Sequence, residues 1–393
     1  MEKEPVAELC AEDIAHYQDL ARQYSKKSIN PIFEGEYSDG NLSLLPEKLK
    51  TAFEIGIAAT PDESLSGCQY GIWGGATEET GIIPSSLILS AIAETCGGVA
   101  MCLNAQGVAS NLILQAKRKL AFIPVKVAVG IQEGFCPPFF GTITSPDKDA
   151  PAKSITTAAQ KGNNYIINGS KSFVYSMSGV DAYVVFACVG EKWGCFLVEA
   201  KGKGIEKTDV GVRTGLRACC VEHVKFNNVQ IPIEARLDDG DARSLLIRAM
   251  SLNWMGMSAI AVGIAKGAAA AARKYAAERY QGGMQIEEHP AVKMLIAGGE
   301  SSLASADATL YSLPRVTFTT FSGLKKSAAA KLTVVDLCFR AVTDCLQSFG
   351  GYGYMEDYGM EKRLRDVTVL KSASGSPTYL KQLIFDIEKE GAL

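Results

Sequence analysis

Gln347-Ser348-Phe349-Gly350-Gly351-Tyr352-Gly353-Tyr354, continued by Glu361-Lys362-Arg363-Leu364-Arg365-Asp366, is the stretch on which the reading of this 393-residue chain turns. Three glycines so closely spaced let backbone amides come up against a diphosphate, and helix ends nearby add partial positive charge. The same glycines could serve only to break a helix and make a turn. Eight positions beyond Asp366 the chain reads Ala373-Ser374-Gly375-Ser376.

On either side of this stretch the texture changes twice. Residues 237–393 carry long helical patterns, Ala-rich over 267–277 and amphipathic over 328–349, broken near 280–290 and at Leu313-Pro314. Residues 139–232 are short β-branched and aromatic runs such as Tyr183-Val184-Val185-Phe186, punctuated by Asn163-Asn164, Asn168-Gly169 and Lys203-Gly204. From 11 to about 118 the segments, among them 46–57 and 85–103, suit helices again. The expected architecture is therefore α+β and multidomain: a helical domain over 1–135, a β domain of barrel or sandwich form over 136–236, and a helical domain over 237–393. No repeat or low-complexity linker interrupts this order.

Composition excludes several classes. A net charge of −3 offers no basic field for nucleic acid, and 47% hydrophobic with 21% charged residues is ordinary for a globular chain. Eleven scattered cysteines without a CxxC pair, and only three histidines, predict buried thiols in a reducing cytoplasm and no metal site. The N-terminus lacks the basic-then-apolar pattern of a signal peptide. Residues 249–265, uncharged but short of a membrane span, read as a core helix.

Several segments resemble the acyl-CoA dehydrogenase family, and together they cover most of the chain from about residue 85 onward. Thr144-Ser145-Pro146-Asp147 resembles its Thr-Glu-Pro turn, and Tyr165-Ile166-Ile167-Asn168-Gly169-Ser170-Lys171 its next strand. Val224-Lys225-Phe226 with Val229-Gln230-Ile231-Pro232 resembles the strand closing its β domain, and Tyr275-Ala276-Ala277-Glu278-Arg279 with Glu288-His289 the helix and loop that reach a neighbour's flavin. The Gln347 run is the most specific of the set.

The resemblance implies that fold, with a C-terminal four-helix bundle, and FAD as cofactor. It places Thr144, Phe173, Tyr175, Arg279, His289, Gln347, Gly350, Gly351, Ser376 and Thr378 at the flavin, and Asn104, Asn253, Trp254, Ala373, Ser374 and Gly375 at an acyl-CoA substrate. It further implies a homotetramer, or a heteromer with a base-bearing paralogue, passing electrons to electron-transferring flavoprotein or a similar acceptor. No nucleic acid or membrane is expected among the partners.

The departures are specific. Ser145 replaces the acid of the Thr-Glu-Pro turn; a register placing Gln132-Glu133 there restores the acid but needs gaps, so Thr144 is preferred. Tyr175 stands where the family has a small hydroxyl residue. Ser374 occupies the position of the family's catalytic carboxylate, and Asn253 the alternative position on a helix, followed by Trp254 in place of an arginine. The region of Leu103-Asn104 is uncharged too, so three base positions read neutral. Serine alone is too weakly basic to take the proton beside a thioester carbonyl.

Three readings follow: α,β-desaturation of an unusual alicyclic or aromatic acyl-CoA with a base from elsewhere; a lyase-like, reductive or partner-subunit role needing no carboxylate; or a flavin-free protein that holds acyl-CoA or a partner. No arginine lies between Arg22 and Arg118, which disfavours a substrate with a distal carboxylate.

Overall fold

A computed structural model describes residues 11–33, 41–65, 67–75, 77–116, 120, 122–133, 154–313 and 317–391. The N-terminal part contains α1 (Ala11–Tyr24), α2 (Leu45–Glu54), α3 (Ile83–Ala93) and α4 (Gly97–Gln115). Strands β1 (Val127–Gly130), β2 (Thr157–Lys161), β3 (Asn164–Ser176), β4 (Ala182–Val189), β5 (Lys192–Glu199), β6 (Ile205–Asp209) and β7 (Cys220–Pro232) follow. The chain then returns to helices α5 (Arg243–Glu278), α6 (Pro290–Tyr311), α7 (Phe321–Gln347), α8 (Met360–Ser372) and α9 (Pro377–Gly391).

The strands form one hydrogen-bonded sheet in the order β1-β4-β2-β3-β7-β6, with β5 on the other side of β4. β2 meets β4 only at Thr157–Cys188, while β3 and β7 pair antiparallel along most of their length. The sheet begins before the boundary expected at 136, because β1 runs parallel to β4 from Val127–Ala182 to Gly130–Val185. Four residues, Val-Ala-Val-Gly, are too few for periodicity to reveal a strand.

β4 reads as an unbroken apolar run because both its faces are covered. Ala182, Val184, Phe186 and Cys188 pack into the core shared with the helices. Tyr183, Val185 and Ala187 point the other way, into a core the sheet builds for itself with Tyr165, Phe196, Val224 and Phe226. The period-two alternation of a strand thus joins two cores through one element.

Helix α5 is the axis of the helical body. It packs against α3 and α4 on one side and α6 and α7 on the other. Every residue from Leu246 to Ala265 is buried, so the uncharged run read as a core helix is one. α4 and α5 are long and apolar enough to cross a membrane, but 94% and 83% of their apolar windows lie inside the fold. Ends are set locally: Pro290 opens α6, and the Thr320 hydroxyl caps α7 by accepting from the Gly323 N–H at 3.1 Å.

Candidate active site

A cavity of about 30 Å³ lies where the sheet meets the helices. α4 contributes Met101 and Ala105, β1 and its continuation Val129, Ile131 and Gln132, β3 Phe173 and Tyr175, α5 Met250, Asn253 and Trp254, and the turn after α8 Ser374. That volume has room for one or two waters.

Two backbone irregularities shape the walls. Between Lys171 and Val174 the β3–β7 register slips, and Phe173 sits there at φ +51°. A bulge of this kind re-aims a side chain at a site. Ser374 is also at φ +51°, and its turn is clamped from behind. Lys331 Nζ on α7 donates to the carbonyls of Ala373 at 2.5 Å and Gly375 at 2.7 Å, and Trp254 Nε1 donates to the Ser374 carbonyl at 2.7 Å. Lys331 is 1% exposed, and burial pushes its ammonium down to about 7.

Asn253 and Ser374 face one cavity, and Asn104 reaches Asn253 from behind, Nδ2 to Oδ1 at 3.0 Å. The three neutral positions therefore converge. Among the described residues the lining holds no carboxylate, and Tyr175 is its titratable member. Burial, with the Cys219 thiol as a second cause, pushes the Tyr175 phenol up, so it stays protonated at neutral pH.

Glu133 follows Gln132 but points elsewhere. It pairs with the buried Lys171 at 2.7 Å and accepts from the Ser154 hydroxyl and the Ile155 and Thr156 N–H groups. Burial alone would raise its carboxyl, but Lys171 and these donors hold it below the usual range. An ionised, fully engaged carboxylate is a fastener for the β1–β3 junction, and it makes a poor base. Thr144 and Ser145 lie outside the described residues.

The glycine run forms a second cluster at the far end of α5. Arg279 caps that helix, its guanidinium 5.1 Å from the Tyr352 ring and its Nε buried without a hydrogen-bond partner. Gly350 has φ +58°, and an added Cβ at Gly350 or Gly351 would meet nothing within 4 Å. Phe349 stacks on Tyr275 at 4.2 Å beneath the turn. Gln347 is exposed beside it, and His289 ties the 280–285 hairpin through Nε2 to the Gln281 carbonyl at 2.9 Å. Ser376 and Thr378 are exposed at the start of α9, next to the Ser374 turn. An orphaned guanidinium nitrogen beside open backbone amides fits a diphosphate.

The motif's polar tail is structural. Asp366 accepts from the Leu216 N–H at 2.6 Å and pairs with Lys362 at 2.7 Å, while Arg365 donates to the Thr214 carbonyl at 2.9 Å. These bonds lock α8 to the segment before β7. Sequence reading missed Lys331 and Trp73. A lone lysine in Ala328-Ala329-Ala330-Lys331-Leu332 is the one signal that pointed to the first.

Residues 255–374 match the family model described as acyl-CoA dehydrogenase, C-terminal domain. The chain is 28% identical over 378 residues to "Acyl-CoA dehydrogenase" of Bacillus subtilis, covering 93% of this chain and 95% of that one. It is 26% identical over 278 residues to "Caffeyl-CoA reductase-Etf complex subunit CarC" of Acetobacterium woodii, covering 69% of each. Its fold matches the solved structure of butyryl-CoA dehydrogenase from Megasphaera elsdenii with a TM-score of 0.76 at 20% identity, over 95% of this chain and 97% of that one.

Proposed function

We propose that this chain, a member of the acyl-CoA dehydrogenase family, is an FAD-dependent oxidoreductase acting at the α,β-carbons of an acyl-CoA thioester with an unusual alicyclic or aromatic acyl group and a non-standard proton carrier. The observation that carries it is the cavity where Asn253, Ser374 and Tyr175 meet with no carboxylate among them. FAD, when bound, supplies hydride chemistry at the β-carbon. Phe173, Tyr175 and Gln132 border the space for its ring, and Arg279, Gln347, Gly350 and Gly351 suit its diphosphate end.

Those two sets cannot serve one flavin within one chain. Arg279 follows Asn253 by twenty-six residues, twenty-five of them within the continuous helix α5, a rise of about 39 Å, longer than an extended FAD. A neighbouring copy therefore completes each site, as a homotetramer would provide. Tyr280, Tyr352 and Tyr354, all exposed around Arg279, suit burial against that copy. Electron-transferring flavoprotein is the proposed acceptor or donor. The nine cysteines among the described residues are free thiols, which suits a cytoplasmic setting.

A second reading concerns direction. A protonated Tyr175 is better placed to give a proton to a substrate carbon than to take one, which favours reduction of an α,β-unsaturated thioester. The likeness to a caffeyl-CoA reductase subunit supports it. The test is an anaerobic visible titration of the purified holoprotein. Bleaching of oxidised flavin by a saturated acyl-CoA supports dehydrogenation, and reoxidation of the reduced flavin by an enoyl-CoA, but no bleaching, supports the reductase. A protein that neither carries nor takes up FAD refutes both and leaves an acyl-CoA-binding or interaction protein.

A further inference from the structure

The cavity carries a hydrogen-bond polarity that is fixed from outside it. Trp73 Nε1 donates to Asn104 Oδ1 at 2.7 Å, and Asn104 Nδ2 donates to Asn253 Oδ1 at 3.0 Å. Trp73 and Asn104 are fully buried and Asn253 is 8% exposed. An indole N–H can only donate, so Asn104 must turn its oxygen to Trp73 and its amino group to Asn253. Asn253 must then present its oxygen to Asn104. Its own amino group is left at the cavity wall, with no acceptor on the described chain.

The orientation is built in from several elements. Trp73 stands at φ +59°, a position few side chains adopt. Its N–H donates to the Ser85 hydroxyl at 2.9 Å, and its carbonyl accepts from Asn111 Nδ2 at 2.9 Å. Asn111 is held in turn by Arg248 Nε at 2.6 Å. The seat of Asn104 on α4 depends on the missing side chain of Gly256 on α5.

Met101, Val129, Ile131 and Met250 make the apolar part of the lining, Gln132, Tyr175 and Ser374 are its other polar members, and the described lining has no cation. A hydrocarbon occupant would leave the Asn253 amino group dehydrated and unpaired. A carboxylate would be dehydrated without a counter-charge. We infer that the acyl group taken by this site carries a neutral oxygen acceptor beyond its thioester carbonyl, a ketone, hydroxyl or ether, and that Asn253 Nδ2 donates to it.

This inference rests on the acyl-CoA reading above. Its test is equilibrium binding of matched acyl-CoAs to the holoprotein by calorimetry: a cyclic hydrocarbon acyl-CoA, its ring-oxo isomers, a ring-carboxylate analogue, and CoA alone. At least one oxo isomer should bind about tenfold to a hundredfold more tightly than the hydrocarbon and the carboxylate. Asn253→Leu should abolish that preference by weakening the oxo isomer more than the hydrocarbon. Equal affinity for the hydrocarbon and every oxo isomer overturns the inference while leaving the acyl-CoA reading intact, because the thioester carbonyl then suffices. So does a preference that survives in Asn253→Leu. If no acyl-CoA binds better than CoA alone, the acyl-CoA reading itself fails. The ratio in the parent protein decides even where Asn253→Leu does not fold.

Discussion

Gly256→Ala, usually a favourable change inside a helix, is expected to destabilise this protein. The added Cβ would stand 2.5 Å from Asn104 Cγ, 3.0 Å from Nδ2 and closer still to Oδ1. Asn104 is fully buried and bonded at both ends, so it cannot swing aside without releasing Trp73 Nε1 and Asn253 Oδ1. Each buried group left without a partner costs about 1–3 kcal/mol, or ~2–6 kcal/mol for the two. The alanine returns about 1 kcal/mol of helix propensity. A net loss of about 3 kcal/mol should lower the thermal midpoint by about 3–4 °C, read by circular dichroism at saturating FAD. Asn104→Ala in the same chain empties the space the methyl needs, so the double variant should lose less than the sum of the singles. A Gly256→Ala protein that melts with the parent would refute the claim that α5 is cut to fit Asn104.

Lys331 titrates near 7 in the fold against 10.5 when exposed, so from about pH 7 to 10 the unfolded chain holds a proton that the folded one does not. The parent should therefore gain stability over Lys331→Met as pH rises through that window and show a constant difference below it; a flat difference in melting temperature across it would show that Lys331 is not a desolvated cation. Glu133→Gln strands the buried Lys171 and should cost about 3–5 kcal/mol, with Glu133→Gln/Lys171→Met recovering most of it in urea unfolding. Equal loss in single and double variants would deny the pair its role. Arg279→Gln should weaken FAD retention about tenfold to a hundredfold without moving the melting point of the apoprotein, measured by fluorescence of released flavin. Unchanged retention would remove the guanidinium from the diphosphate site.

The order of elements was legible because long helices and a doubly buried strand such as Ala182–Val189 declare themselves in local composition. Val127–Gly130 did not, since its partner lies more than fifty residues away and its four residues carry no period. The meeting of Asn104, Asn253 and Ser374 followed from motif positions and is seen in the fold. Their support was hidden. Nothing near Trp73 announces that its indole sets two amides on other helices, and nothing near Lys331 shows that it grips carbonyls at 373 and 375. The choice between Thr144 and Gln132-Glu133 turned on gaps, whereas in the fold Gln132 borders the cavity and Glu133 is consumed by Lys171. Long-range pairing is invisible to any reading that moves along the chain.

Helix α5 has one more implication, for how this chain can vary. Asn253 and Arg279 are mounted on a single shaft whose pitch fixes both their spacing and their angular phase. Inserting or deleting one residue between them would turn the arginine by about 100° and shift it by about 1.5 Å relative to the amide. The shaft tolerates substitution but not a change of length. Among descendants of this sequence, the interval from 253 to 279 should be free of insertions and deletions, even where its side chains have been extensively replaced.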